Sequence, residues 1–257
     1  MRTFTLRHGV QNENSGTAEP AARQWRRLLL ELPWVQYLVS CRGLVLRAVL
    51  ILSTYTAAAV LAARLGTVSI AAHQVIQQMQ QLQIAITWSL LSVGQTIVGS
   101  VFHDPDAGPA AARAIGARVA FWSVLLACAL AGGTWAARGL LPQLFVESGG
   151  AAAPVLAAIA PAMAPACAML AFSCNNGLEG VLLGAGDMRF VVGVYPWSVG
   201  LGLCFMAAAW QLGAGLTGIW WALASYYGAL MVGFALRGAA PARWLRGPLH
   251  NGETYAT

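Results

Sequence analysis

The sequence contains no lysine and little charge of either sign. All 15 of its basic residues are arginines, and together with nine acidic residues they make up only 9% of the 257-residue chain. A soluble domain carries about 25% charged residues. Because 58% of this chain is hydrophobic, a soluble fold could not cover its surface with polar groups. The composition therefore excludes an ordinary soluble domain and predicts a protein that is embedded in the lipid bilayer and has lipid as its partner.

Motifs of catalysis and metal binding are also missing. The five cysteines form no C-x-x-C pair and the four histidines are scattered, which argues against a zinc site or a disulfide framework. No G-x-S-x-G, H-E-x-x-H or P-loop motif is present, and no G-x-G-x-x-G pattern occurs in a βαβ context. The arginines flank apolar runs instead of forming one basic stripe, which argues against nucleic-acid binding. We therefore expect no enzyme, no cofactor, no metal site and no nucleic-acid partner, and cysteines that pack as small hydrophobic residues.

Long apolar runs predict an all-α, polytopic membrane protein, a bundle of six transmembrane helices. A helix needs about 20 apolar residues to cross a bilayer, and the glycine-containing segment 211–218 divides the longest run into two spans. The expected spans are roughly 38–63, 68–101, 113–137, 152–183, 189–210 and 215–237. Residues 1–36 are expected to form a disordered basic tail, residues 37–237 the membrane region and residues 238–257 a cytoplasmic C-terminal tail.

The arginines outside the spans are unevenly distributed between the two sides of the membrane. One side receives most of them, and only Arg64 and Arg138 fall on the opposite side. Short loops rich in arginine face the cytoplasm. Both termini are therefore expected in the cytoplasm or in the topologically equivalent compartment.

The second predicted span carries a row of amides. Gln74, Gln77, Gln78 and Gln81 recur at the spacing of one helical face, and His73 stands four residues before Gln77. Such a face cannot contact lipid without leaving donors and acceptors unsatisfied. We expect it to line a water-filled cavity; the alternative is a hydrogen-bonded seam between helices that only holds the bundle together.

Ionisable and amide groups in the other spans are further candidates for a functional interior, because they are costly in a bilayer. Glu179 follows Asn175 and Asn176 in the fourth span, and both asparagines, like Arg47, are candidates for lining a cavity. A carboxylate removed from water favours its neutral form, which makes Glu179 a candidate proton carrier; the alternative is a solvated, structural residue at the helix end. Arg47 lies inside the first span and needs an acidic group, carbonyls or water, of which a structural acidic partner is the simplest.

Three prolines and one tryptophan complete the interior candidates. Pro154, Pro161 and Pro165 fall in the fourth span, where prolines either bend or break a helix at a substrate site or form a plain packing kink. Trp88 lies in the middle of the second span and is expected either to line a cavity for aromatic or cationic compounds or to pack in the core.

Several segments carry a family resemblance. Residues 61–75, LAARLGTVSIAAHQV, followed by residues 92–99, SVGQTIVG, resemble the "AARLG…AAHQI…AGQALVG" signature of the MATE (multidrug and toxic compound extrusion) transporters. Residues 37–40 and 46–47 are similar to the start of helix 7 in the DinF-like branch of that family. Residues 178–187, LEGVLLGAGD, and 215–221, GLTGIWW, resemble its helix 10 and helix 12 motifs. The likeness covers about residues 37–237.

The resemblance implies one lobe, helices 7–12, of a twelve-helix fold that works by alternating access and is driven by H⁺ or Na⁺. Under it, Glu179 takes the place of the aspartate in the helix 10 motif, and Arg47 matches the arginine of helix 7. The glutamine-rich stretch after His73 departs from the family pattern. Substrates would be organic cations, secondary metabolites or organic acids, and the resemblance to plant, algal and bacterial members points to a chloroplast envelope or a plasma membrane.

A chain that resembles half of a transporter leaves three functional hypotheses. The lobe acts as a secondary antiporter together with a missing N-terminal lobe. Alternatively, it is a truncated or regulatory half-transporter that binds a partner and transports nothing. In the third hypothesis, a second copy replaces the missing lobe.

Overall fold

The computed structural model describes residues 33–102, 104, 108–146, 149 and 152–239, and within these ranges the side chains of 33–40 and 109 are left aside. None of the described residues lies in a strand. Six spans are long and apolar enough to cross a bilayer, so the prediction of an all-α, six-span membrane protein is confirmed, and the chain is a multi-pass integral membrane protein. The helices are α1 (Pro33–Arg64), α2 (Thr67–Phe102), α3 (Gly108–Ala136), α4 (Ala152–Phe172), α5 (Asn175–Gly184), α6 (Met188–Gln211) and α7 (Gly215–Ala239).

The boundaries follow the glycines and the lengths of the apolar runs. The expected break within residues 211–218 is confirmed, because α6 ends at Gln211 and α7 begins at Gly215. Gly213 and Gly215 have φ values of +64° and +59°, a left-handed conformation that only glycine adopts without strain. A 3₁₀ turn, Leu141–Leu144, follows α3.

The limits of the two predicted tails need correction. Residues 33–36 were assigned to the disordered tail, but they lie in α1, whose described part begins at Pro33. Residues 238 and 239 were assigned to the C-terminal tail, but they belong to α7. Residues 1–32 and 240–257, which hold the rest of both predicted tails, lie outside the described residues. The described chain forms two units, one covering residues 33–42 and the other, which contains the bundle, beginning at Gly43.

The fourth span is broken, but not at its prolines. Pro161 and Pro165 lie inside α4, and the interruption comes about two turns later, at Ser173 and Cys174, before α5 begins. The backbone N–H and the hydroxyl of Ser173 both donate hydrogen bonds to the carbonyl of Leu170, which closes the end of α4. The two helices together form one span, Ala152–Gly184.

Glycines let α5 pack directly on the backbone of α2. A Cβ atom at Gly180 would overlap the backbone of Leu91, and one at Gly184 would lie 2.8 Å from the carbonyl oxygen of Gln95. Glycines four residues apart on one helix face allow this approach in membranes, where dispersion contacts and weak hydrogen bonds replace the hydrophobic effect. At about 100° per residue, Glu179 lies far around α5 from these glycines, and so points away from α2.

Helix α1 is the most exposed of the six spans. Small residues, Ala58 and Ala62, are its fully buried apolar positions, and Gly43 approaches Val192 of α6. Partly buried apolar side chains, among them Leu50, Ile51 and Leu61, also pack against the core, and the remaining connections are made by long polar side chains. They belong to the buried polar site described below.

Candidate functional site

The centre of the site is a carboxylate held by two other helices. Nη2 of Arg47, on α1, donates a hydrogen bond to Oε2 of Glu179 at 3.0 Å, and the hydroxyl of Tyr195, on α6, donates to the same oxygen at 2.8 Å. Oε1 of Glu179 lies 2.7 Å from Nε of Arg47, an ionic contact without the angle of a directed hydrogen bond. One carboxylate thus connects α1, α5 and α6.

Burial makes this pair electrostatically strong. Glu179 is 1% exposed and Tyr195 is 2% exposed, whereas the side chain of Arg47 keeps 22% of its surface accessible. The guanidinium carbon of Arg47 also lies 5.1 Å from the centroid of the Tyr195 ring, within the range of a cation–π contact. The site is therefore neutral as a whole, and it is open to its surroundings at the arginine.

All three side chains lie near one end of the bundle. Because the spans alternate in direction, the part of α1 around Arg47, the end of α5 and the first half of α6 lie toward one membrane face. A second ion pair lies at the same end, where Nε of Arg237 on α7 contacts Oδ2 of Asp187 and its guanidinium lies 4.8 Å from the Phe190 ring centroid. That pair is partly exposed, so it belongs to the interface, whereas Glu179 lies deeper.

Tyrosines extend the polar interior between α1 and α7. The hydroxyls of Tyr55 and Tyr227 lie 2.8 Å apart, and the ring of Tyr226 stands edge-on to that of Tyr227 at 5.2 Å. Tyr195 packs against Phe234, with ring centroids 6.3 Å apart. These hydroxyls give α1 a second polar connection to the bundle besides Arg47.

The two predicted asparagines are buried next to the carboxylate in sequence. Nδ2 of Asn176 donates to Oγ1 of Thr87 on α2 at 2.8 Å, which ties α5 to α2 by a side-chain bond. Asn175, one turn before Glu179, is 2% exposed, and its Nδ2 has no hydrogen-bond partner within the described part of the chain. Both asparagines are thus interior groups, as expected from their position.

Helix α2 turns His73 and Gln80 inward. His73 is fully buried against Trp220 of α7, with ring centroids 5.4 Å apart. Gln77 interacts with the imidazole, but neither ring nitrogen has a partner of hydrogen-bond geometry among the residues that the structure describes. Nε2 of Gln80 donates to the carbonyl of Ala166 on α4 at 2.8 Å.

The predicted glutamine face points away from this interior. Gln74, Gln78 and Gln81 are exposed on the outside of the bundle, and Gln77 is half-buried. Trp88 is 53% exposed, so the expectation that it packs in the core is wrong. The exposed positions lie about 100° around the helix from His73 and Gln80, because successive residues advance by about that angle. The structure therefore separates the predicted group into an inner histidine and an outer row of amides.

The cysteines take no part in the site. All five are free, with Cys167 and Cys174 buried and Cys128 and Cys204 exposed. The two exposed cysteines do not pack inside this bundle. Within the described ranges, no three His, Cys, Asp or Glu side chains come close enough together to hold a metal ion.

Comparison of the chain with protein-family models, with curated proteins and with solved structures finds no match.

Tyr195 and Gln80 are the most important of the inner residues that were not predicted from the sequence. Tyr195 is the second ligand of the Glu179 carboxylate, and Gln80 is the amide that reaches α4. The available signal for Gln80 was a seven-residue repeat, since His73, Gln80 and Thr87 lie seven apart and all three are buried. For Tyr195 the signal was its distance from a helix end, because tyrosines of an aromatic belt lie at the membrane surface.

Proposed function

We propose that this chain is one lobe of a cation-coupled efflux transporter of the MATE type, with Glu179 as its coupling residue. The observation that carries the proposal is the buried ion pair of Glu179 with Arg47, whose partners come from different spans. Charged groups inside a membrane bundle are rare, and they mark proton or substrate pathways in transporters. The resemblance of residues 61–99 to the family signature supports the same assignment, and it alone points to a chloroplast envelope or plasma membrane.

Protonation of Glu179 would change how α1 is held. The ionised carboxylate accepts hydrogen bonds from Arg47 and Tyr195, and a neutral carboxylic acid loses most of its attraction for the guanidinium. Besides this pair, small buried residues and partly buried apolar side chains attach α1 to the bundle, so the pair is one of its few polar attachments. Proton binding is therefore expected to loosen α1, and release of the proton is expected to restore the pair. Na⁺ bound at the carboxylate would displace the guanidinium in the same way.

The same step would change the charge offered to a substrate. The paired site is neutral, whereas the protonated site exposes the positive charge of Arg47, which has 22% of its side-chain surface accessible. A positive site repels an organic cation and attracts an organic acid. Coupling to protons would therefore drive the release of a cation or the binding of an acid, and transport assays need a probe of each kind.

Vesicle transport tests the proposal. The chain is placed in liposomes, alone and together with a first lobe of the family, and a pH or Na⁺ gradient is imposed with ethidium or citrate as the probe. We expect gradient-driven movement of one probe, its loss in Glu179→Gln, and retained exchange of labelled for unlabelled probe without a gradient. Asp187→Asn, which breaks a comparable pair at the bundle end, serves as the matched control.

Two results would contradict the proposal. Gradient-driven transport by Glu179→Gln at the parent rate removes the coupling role. Failure of both probes to move under either gradient, with and without the added first lobe, favours a half-transporter that binds a partner.

A further inference from the structure

Helix α2 has two exposed faces of opposite character. One face, here called the polar seam, consists of Gln74, Gln78, Gln81, Trp88, Ser92 and Gln95, all exposed. The other, here called the apolar face, consists of Val68, Leu82, Ile86, Val93 and Ile97, also exposed. At about 100° per residue, the two faces lie roughly 100° apart around the helix axis. The third side of the helix is buried in the bundle.

Only one of these faces suits lipid. The apolar face matches hydrocarbon, and its side chains need no partner. The polar seam presents four amides, and an amide without a hydrogen-bond partner is costly in the membrane interior. From Gln74 to Gln95 the seam extends about 32 Å at 1.5 Å per residue, comparable to the roughly 30 Å thickness of the hydrocarbon core. The interfacial regions therefore cannot solvate all of it, so either a protein surface or an aqueous pathway must provide its hydrogen-bond partners.

The spacing of the seam is that of a helix–helix contact. Its positions, together with the exposed Ala85, follow one another at alternating intervals of four and three residues. This spacing is the pattern of helices that cross at about 20° with interlocking side chains. The whole of α2 contains no Asp, Glu, Lys or Arg, so no partner of opposite charge is required.

We propose that the polar seam is the contact surface for a second copy of this chain, with α2 packed against α2. An amide is both a donor and an acceptor, so identical amides can pair across a two-fold axis. Copies inserted by the same rule have the same orientation in the membrane, so the axis runs along the membrane normal and the helices are parallel. Each seam residue then lies near its own counterpart. The proposal goes beyond the transport function and does not depend on it.

Cysteine crosslinking at identical positions tests the contact. The accessible Cys41, Cys128 and Cys204 are replaced by serine, and the buried Cys167 and Cys174 are kept. Single cysteines are then introduced as Gln78→Cys and Gln81→Cys on the seam, and as Leu82→Cys and Ile86→Cys on the apolar face as matched controls. Because all four sites are exposed, the substitutions leave the bundle core unchanged.

A seam contact predicts a position-specific disulfide. In membranes containing this chain alone, mild oxidation is expected to give at least a tenfold larger dimer fraction at Gln78→Cys or Gln81→Cys than at either control. In a second measurement, adding Gln74→Leu and Gln95→Leu to the better seam variant is expected to lower its dimer fraction severalfold.

Three outcomes would overturn the proposal. Equal dimer fractions on both faces indicate random collision. Absence of dimer with rapid labelling of the seam cysteines by a water-soluble maleimide indicates the wall of an aqueous pathway. Absence of both dimer and labelling indicates a seam covered by lipid or by another protein. Each readout is independent of transport, so a failure here is distinguishable from a failure of Glu179 as the coupling residue.

Discussion

Neutralising Glu179 and Arg47 separately and together measures how strongly the buried pair holds the bundle. Loss of one partner of a buried ion pair costs about 3–5 kcal/mol, because the remaining charge stays uncompensated. Arg47 retains 22% of its side-chain surface, so water reaches the guanidinium. We therefore expect Glu179→Gln to lower the free energy of unfolding by about 3 kcal/mol, at the lower end of that range.

The reverse variant leaves the carboxylate without its cation. Glu179 is only 1% exposed, so in Arg47→Met it must take up a proton or remain charged in an apolar environment, at a cost of about 3 kcal/mol. The double variant has neither charge, and an uncharged replacement of a buried pair is often close to neutral. We expect it to lie within about 1 kcal/mol of the parent, which makes the coupling between the two sites about 5 kcal/mol or more.

Reversible unfolding in mixed micelles of a mild detergent and sodium dodecyl sulfate, followed by tryptophan fluorescence, gives the four free energies. Arg42→Met is the matched control, because Arg42 is an exposed arginine of the same helix and its loss should change stability by less than about 0.5 kcal/mol. If the double variant loses the sum of the two single losses to within about 0.5 kcal/mol, the two side chains act independently and the reasoning is refuted.

Two further predictions concern the packing and the hydrogen bonds around the pair. Gly180→Ala places a methyl group against the backbone of Leu91, and we expect it to lower the free energy of unfolding by about 1–3 kcal/mol in the same assay. The control is Gly132→Ala, where the added atom meets nothing within 4 Å, and it should be neutral or stabilising by up to about 1 kcal/mol. Equal effects of the two substitutions would contradict the close approach of α5 to α2. Tyr195→Phe removes one hydrogen bond to Glu179 but keeps the ring. It should lower the free energy of unfolding by about 1.5–3 kcal/mol, the range for a hydrogen bond to a charged group. An unchanged unfolding midpoint would show that the hydroxyl does not bind the carboxylate.

The sequence by itself determined the number of the spans and their approximate limits. A run of apolar residues longer than the bilayer core is a local property, and so is a break at glycines such as Gly213 and Gly215. The status of Glu179 as an interior carboxylate is also visible in the sequence, because it is an isolated charge within an apolar run. These features depend on length and composition, and no knowledge of neighbouring helices is needed to predict them.

Only the tertiary structure decided which groups meet. The period of α2 defines two polar faces, one containing Gln74 and Gln78 and the other His73 and Gln80, and a helix can rotate about its axis to bury either. Its rotation is set by the glycine contacts of α5, which no periodicity in α2 reveals. In the same way, the sequence left an acidic group, carbonyls or water open as partners of Arg47, and packing across distant segments selected Glu179 and added Tyr195. Contacts between residues far apart in the chain depend on shape, and the sequence of one helix does not contain that information.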